Sequence, residues 1–209
     1  MKNKIIFKEG IPTLIIVLLL TIIFYLITPL LSILGIGLII FVLYFFRDPK
    51  RVIVKDEEII LSPADGIVTN IEEVEEEKFI KQSAIRISIF MSPVDVHINR
   101  SPIPGVVDYI EYKKGKFKYP KKPENQLINE KNYIGIKNNK IKILIVQIAG
   151  VMARRIINWT TENQKVEMGD KIGMIKFSSG TQIYLPKETE ILIKEGDRVV
   201  SGITHIGRY

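Results

Sequence analysis

Ala84-Ile-Arg-Ile-Ser-Ile-Phe90 puts Ile85, Ile87 and Ile89 on one face of an extended chain and Arg86 and Ser88 on the other. Side chains alternate across a strand with period two, so the segment reads as a half-buried β-strand. Downstream, Ile141–Ile148 and Met174–Leu185 also read as strands, with more continuous burial. The acidic Glu72–Glu77 and the Lys/Pro/Asn-rich Lys113–Lys140 read as solvated surface loops or hairpin arms. Val166-Glu-Met-Gly-Asp-Lys-Ile-Gly173 and Ile193-Lys-Glu-Gly-Asp-Arg-Val-Val-Ser-Gly202 form a weak repeat. Each has Gly-Asp between apolar residues, which suits a tight hairpin corner with positive φ. Ser62-Pro-Ala-Asp-Gly-Ile-Val68 adds a Gly-centred turn leading into a strand.

The expected body is therefore mainly β. Gly-Asp corners of this kind resemble those in the flattened β-sandwich (barrel-sandwich) of biotinyl and lipoyl carrier domains. The likeness is one of architecture, since neither corner carries a carrier's Met-Lys pair, and architecture does not assign function.

The N-terminal part is different. From Ile11 to Phe46 no residue is charged. A spanning helix needs about 20 apolar residues, so this stretch holds two short spans, or one span and a re-entrant piece. It is too long for the apolar region of a signal peptide, and no small-residue cleavage site follows it. Pro29, with Ser32 and Gly35 beyond it, supplies a break near the middle. Lys2, Lys4 and Lys8 precede the stretch; Arg47, Lys50, Arg51 and Lys55 follow it. Basic residues on both flanks favour a hairpin with both ends in the cytoplasm. The expected division is a membrane-anchoring segment over 1–46 and a folded domain over 47–209.

Composition narrows the chemistry. The 209 residues carry a formal net charge of +7, no Cys and two His. Beside an apolar anchor, that charge points to a lipid membrane with anionic headgroups. Nucleic acid is disfavoured, because there is no Arg-rich tract and no stacking-aromatic motif. Without Cys there are no disulfides, no zinc–thiolate site and no cysteine nucleophile. With His97 and His205 the only imidazoles, no metal site is expected.

Five segments carry the functional signal: Phe46-Arg-Asp-Pro49, Ser62-Pro-Ala-Asp-Gly66, Phe90-Met-Ser-Pro-Val-Asp-Val-His-Ile-Asn-Arg100, Gln147-Ile-Ala-Gly-Val-Met-Ala-Arg-Arg-Ile156 and Phe177-Ser-Ser-Gly-Thr-Gln-Ile-Tyr-Leu-Pro186. In that order they resemble the short form of the phosphatidylserine decarboxylase family, from about Phe46 to the C-terminus. Asn129-Glu-Lys-Asn132 is similar to a family motif that usually reads Asn-Glu-Arg-Asn. The resemblance implies a proenzyme that cuts itself between Ser178 and Ser179 and converts Ser179 into a pyruvoyl group. That covalent cofactor would form a Schiff base with the serine lipid substrate, either phosphatidylserine or archaetidylserine, and give the ethanolamine lipid. The two cleaved chains would stay associated, with the catalytic domain on the cytoplasmic side of the cell membrane. A homo-oligomer is allowed, and the sequence carries no signal for copy number.

Carried over by position, the resemblance makes Ser179 the nucleophile, His97 the base that activates it and Asp65 the carboxylate that orients His97. A serine hydroxyl is a poor nucleophile until a base takes its proton and a third group holds that base. Read without the resemblance, Asp65 is a turn residue and His97 a structural imidazole. Asp95, two residues from His97 in an extended segment, is the alternative orienter; His205 reads as structural. Two departures stand out. Ser178 replaces the family's Gly at the cut, adding a Cβ where backbone freedom helps, so a processing-defective relative is one alternative. Lys131 replaces Arg in the Asn-Glu-Arg-Asn motif, losing a planar fork. A non-enzymatic membrane adaptor would explain the anchor and corners but does not require Asp65, His97 and Ser179. A serine hydrolase lacks its Gly-x-Ser-x-Gly turn around Ser179.

Overall fold

The computed structural model describes residues 8–54, 56, 58–120, 123–151, 155–176 and 179–209. They fall into two compact units, Met1–Lys50 and Arg51–Tyr209. In the first, α1 (Ile11–Ile27) and α2 (Pro29–Phe45) are separated by one residue, Thr28, in extended conformation. A proline clashes with a helical residue before it, so Pro29 both ends α1 and opens α2. Gly35 lets the helices meet, because a Cβ there would lie 2.4 Å from Thr21 Oγ1. The helical stretch Lys8–Ile27 is long and apolar enough to cross a membrane; Pro29–Phe45 is shorter.

The second unit is mainly β, as expected. Its large sheet runs β13 (Arg198–Val199), β2 (Gly66–Glu76), β3 (Gln82–Met91), β11 (Ser179–Pro186), β7 (Lys142–Ile148), β6 (Lys131–Lys137), β5 (Gly105–Lys113), β9 (Lys165–Val166). Two small sheets accompany it: β1 (Ile59–Leu61), β14 (His205–Arg208), β12 (Glu190–Ile191); and β4 (Ile98–Arg100), β10 (Lys171–Ile175), β8 (Ile156–Asn158). Pairing between these strands is antiparallel throughout.

The alternation read in Ala84–Phe90 sets the sheet's two faces. Ile87 and Ile89 join Ile145, Ile183, Ile60, Ile172 and Ile206 in one core, so both small sheets pack on the same face of the large one. The opposite face is covered in part by a second cluster around Phe79, Tyr133, Leu144 and Val146.

Two local expectations need correction. Met174–Leu185 is not one strand: β10 ends at Ile175 in a small sheet and β11 starts at Ser179 in the large one. Lys113–Lys140 contains α3 (Pro123–Ile128) and the whole of β6, whose Asn132–Ile136 are buried. The charged residues around Tyr133-Ile-Gly-Ile136 mask a strand with neighbours on both sides. The Gly-Asp corners match closely. Gly169 and Gly196 both take positive φ, and Asp170 Oδ2 and Asp197 Oδ2 accept the amides of Glu167 and Lys194 at 2.8 and 2.9 Å. Glu72–Glu76 is the outer arm of the β2–β3 hairpin, and buried Glu76 accepts the amides of Lys78, Phe79 and Ile80 at its tip.

Candidate active site

Register brings two of the three expected residues, Asp65 and Ser179, to one end of the large sheet. Ile67, Phe90 and Gly180 lie side by side across β2, β3 and β11. One step along each strand lie Gly66, Met91 and Ser179, with Met91 paired to Ser179. Strands are about 4.8 Å apart, so the backbone that carries Asp65 is about 10 Å from that of Ser179, with β3 between them. Gly66 permits this close packing, since a Cβ there would lie 2.2 Å from the Phe90 carbonyl oxygen.

Ser179 is fully buried and its hydroxyl donates to Met91 Sδ at 3.4 Å, a soft and weak acceptor. Ser178, the other half of the expected cut, lies outside the described residues, as do Phe177 and Met152–Arg154 of the quoted motifs.

His97 closes the turn that links β3 to β4. Ser92 donates from its amide and its hydroxyl to Asp95 Oδ2 at 2.8 and 2.7 Å, and Arg198 Nη2 binds Asp95 Oδ1. The turn so fixed sets His97 Nδ1 2.9 Å from the Asp95 main-chain oxygen. A carbonyl oxygen only accepts, so Nδ1 carries the proton and Nε2 keeps the lone pair in the neutral ring. His97 is fully buried, and its own carbonyl accepts from Ile175 N, the last residue of β10. The His97 backbone is thus tied to the end of β10.

Asp65 is held elsewhere. Its Oδ2 accepts from Arg51 Nη2 at 2.7 Å and its Oδ1 from Ser201 N at 2.8 Å; among the described residues its hydrogen bonds do not reach the imidazole. Burial raises the Asp65 carboxyl above the ordinary carboxylate range. Arg51 and the Ser201 amide pull it back in part, and nearby Asp95 adds to the rise. Arg51, read from the sequence as a flanking membrane cation, is therefore the ion-pair partner of Asp65. His205 is exposed in β14, paired with Leu61.

A buried polar chain behind Ser179 was not anticipated. Asn132 Nδ2 donates to Gln147 Oε1 (2.8 Å), Gln147 Nε2 to Asn99 Oδ1 (2.9 Å), and Asn99 Nδ2 to Thr181 Oγ1 (3.0 Å). Thr181 in turn donates to the same Met91 sulfur as Ser179. The readable signal was a lone amide inside an apolar run, Gln147 in Ile143-Leu-Ile-Val-Gln-Ile148. Arg51, Ser201 and Arg198 gave no such signal.

A family model described as phosphatidylserine decarboxylase matches residues 38–207. A protein of Carboxydothermus hydrogenoformans named phosphatidylserine decarboxylase proenzyme is 47% identical over 205 residues, 98% of this chain and 96% of its own length. Proteins of the same name from Symbiobacterium thermophilum and Syntrophus aciditrophicus are 44% and 36% identical. Those matches cover 82% and 99% of this chain, and 80% and 99% of theirs.

Proposed function

Because the chain belongs to the phosphatidylserine decarboxylase family, we propose that it cuts itself between Ser178 and Ser179 and then decarboxylates phosphatidylserine to phosphatidylethanolamine. The observation that best supports this is the position of Ser179. It is fully buried at the first residue of β11, where the chain has just crossed from the sheet whose β10 amide binds the His97 carbonyl.

In this reading His97 Nε2 takes the Ser179 hydroxyl proton, and Asp65 steadies the charge that the ring gains. The Ser179 oxygen bonds to the carbonyl carbon of residue 178 as the peptide C–N bond breaks, giving an ester. Loss of the Ser179 α-proton expels the residue 178 carboxylate and leaves a dehydroalanine. Water then releases ammonia and leaves a pyruvoyl group at position 179. Its ketone supplies the electron sink that loss of carbon dioxide from an amino acid requires. The donor set suits such a group: a buried strand end beside a thioether, with no charged side chain hydrogen-bonded to Ser179 among the described residues.

The two chains would remain together, because β11 is hydrogen-bonded to β3 on one side and β7 on the other. The apolar helices are proposed to hold the enzyme on the cell membrane. Lys8, Arg47 and Lys50 would face the cytoplasm with the catalytic domain.

Intact mass of the purified protein tests the reading. Two chains are expected, the smaller being residues 179–209 with a ketone in place of its amine. Sodium borohydride added with phosphatidylserine should attach the lipid amine to that smaller chain. Ser179→Ala should remain whole, and Ser178→Gly should cut at least as fast as the native chain. An uncut chain that still releases carbon dioxide overturns the pyruvoyl mechanism; an uncut and inactive chain overturns the activity.

A further inference from the structure

The face of the large sheet opposite the Ser179 hydroxyl holds a cavity of about 450 Å³. This volume is within the usual range for small-molecule sites. Its floor comes from the outward positions of three adjacent strands. Gln182 Nε2 donates to Gln126 Oε1 at 2.7 Å and lies 3.4 Å from Ser88 Oγ; Tyr184 donates to Gln182 Oε1 at 3.1 Å. Four charged residues line the walls: Arg86 and Glu72, and Lys131 and Glu124.

These charges are unevenly engaged. Arg86 Nη2 binds Glu72 Oε1 at 2.5 Å, which leaves Arg86 Nε buried and without an acceptor among the described residues. Among the described residues, half-buried Lys131 has one weak hydrogen bond, to the Leu127 carbonyl at 3.4 Å. Burial, and then the charges of Lys113, Arg86 and Lys78, push its ammonium below the ordinary lysine range. A buried donor without an acceptor and a cation crowded by cations are both relieved by one ligand, a multivalent oxyanion. Glu124, exposed in the first turn of α3, is the one lining acid not engaged by Arg86.

We infer that this cavity is a binding site for a phosphate group, held between Arg86 Nε and Lys131 Nζ over the amide and hydroxyl floor. The phosphate could be free or that of a lipid headgroup. Glu124 at the rim suits the ammonium of an aminoethyl phosphate, so the headgroup is the expected source. The site contains none of Ser179, His97 or Asp65 and does not depend on the proposed decarboxylation.

The test is calorimetric titration of the full detergent-solubilised chain with inorganic phosphate and, separately, with glycerophosphoethanolamine. Both should bind the native protein. Lys131→Gln should weaken each by at least about tenfold, the loss of one charged hydrogen bond. Lys131→Arg should restore binding, Arg86→Gln should weaken it, and Lys165→Gln, exposed in β9 at the far edge of the large sheet, should change nothing. If Arg86→Gln fails to fold, the Lys131→Gln and Lys131→Arg pair decides. Tighter binding of glycerophosphoethanolamine than of phosphate, with the preference lost in Glu124→Gln, identifies a headgroup; equal or tighter phosphate identifies the free ion. Native protein that binds neither at millimolar concentration, or binding indifferent to Lys131→Gln, overturns the inference.

Discussion

Arg51 Nη2 lies 2.7 Å from Asp65 Oδ2, and the two side chains are only 12% and 13% exposed. The ion pair ties the segment that enters the β domain to the turn before β2, where the proposed orienting carboxylate sits. Opposite charges at this depth are screened little, so the pair biases Asp65 towards its ionised form against the cost of burial. Among the described residues, removing Arg51 would leave that carboxylate with the Ser201 amide as its remaining hydrogen-bond donor.

Arg51→Gln should therefore destabilise the domain by about 1–3 kcal/mol, the cost of an under-satisfied buried acceptor. It should also slow maturation at neutral pH, with recovery at higher pH as Asp65 ionises. Urea melts and a timed gel of the small chain measure the two effects separately. Unchanged maturation in Arg51→Gln would show that the ionisation of Asp65 does not limit the cut.

The raised Asp65 carboxyl sets a direction with pH. The folded state holds this proton more tightly than the unfolded chain, whose carboxyl has the ordinary value of 3.8. Its contribution to stability is full below 3.8 and is lost as pH rises through the folded value. Asp65→Asn should remove that decline, seen as a flatter denaturation midpoint against pH. The acid limb of maturation in the native chain should lie above 3.8, because the proposed role of Asp65 requires its carboxylate.

His97→Ala should slow maturation by orders of magnitude, as loss of a general base does. Asp95→Asn should have a smaller effect. Its carboxylate holds Ser92 and Arg198 and so shapes the turn, whereas the imidazole is bound by its main-chain oxygen. Arg198→Ala should resemble Asp95→Asn. If Asp95→Asn proves as defective as His97→Ala while Asp65→Asn matures normally, the orienting role belongs to Asp95.

Gln147→Leu should lower stability by about 1–3 kcal/mol for each group it strands, since Asn99 Oδ1 and Asn132 Nδ2 lose their partner in a fully enclosed site. A double-mutant cycle between Asn99 and Gln147 should show coupling of about 0.5–3 kcal/mol. Gly173→Ala should disturb the same chain, because its Cβ would lie 2.7 Å from Gln147 Nε2 and 2.5 Å from the Ile157 carbonyl oxygen.

A chain beginning at Arg47 should leave the membrane fraction, at the latest when salt is raised. What remains without the apolar helices is electrostatic attraction, which salt screens. Retention of the shortened chain in high salt would place the anchor elsewhere.

What could be read from the sequence is what short-range physics controls. Alternation in Ala84–Phe90 set the two faces of β3, Pro29 set the break between the helices, and the Gly-Asp pairs set two matching corners. Each depends on side-chain periodicity or on the φ of one residue. The break between β10 and β11 was missed although Lys176 and Ser178-Ser-Gly180 interrupt the apolar residues there, because a change of sheet is decided by which strands pair and not by local sequence. β6 was hidden for the opposite reason, its short apolar centre being surrounded by Lys and Asn.

The resemblance named Asp65, His97 and Ser179 from the sequence alone, and the chemistry of a serine made nucleophilic follows from those residue types. Only the tertiary structure decided what each of them touches. Arg51 and Ser201 hold Asp65, Arg198 holds Asp95, the Asp95 carbonyl holds the imidazole, and Gln147 links Asn132 to Asn99. Most of these partners are far apart in the chain and share no spacing. They meet because buried polar groups must be hydrogen-bonded, and the strand register determines which partners are within reach.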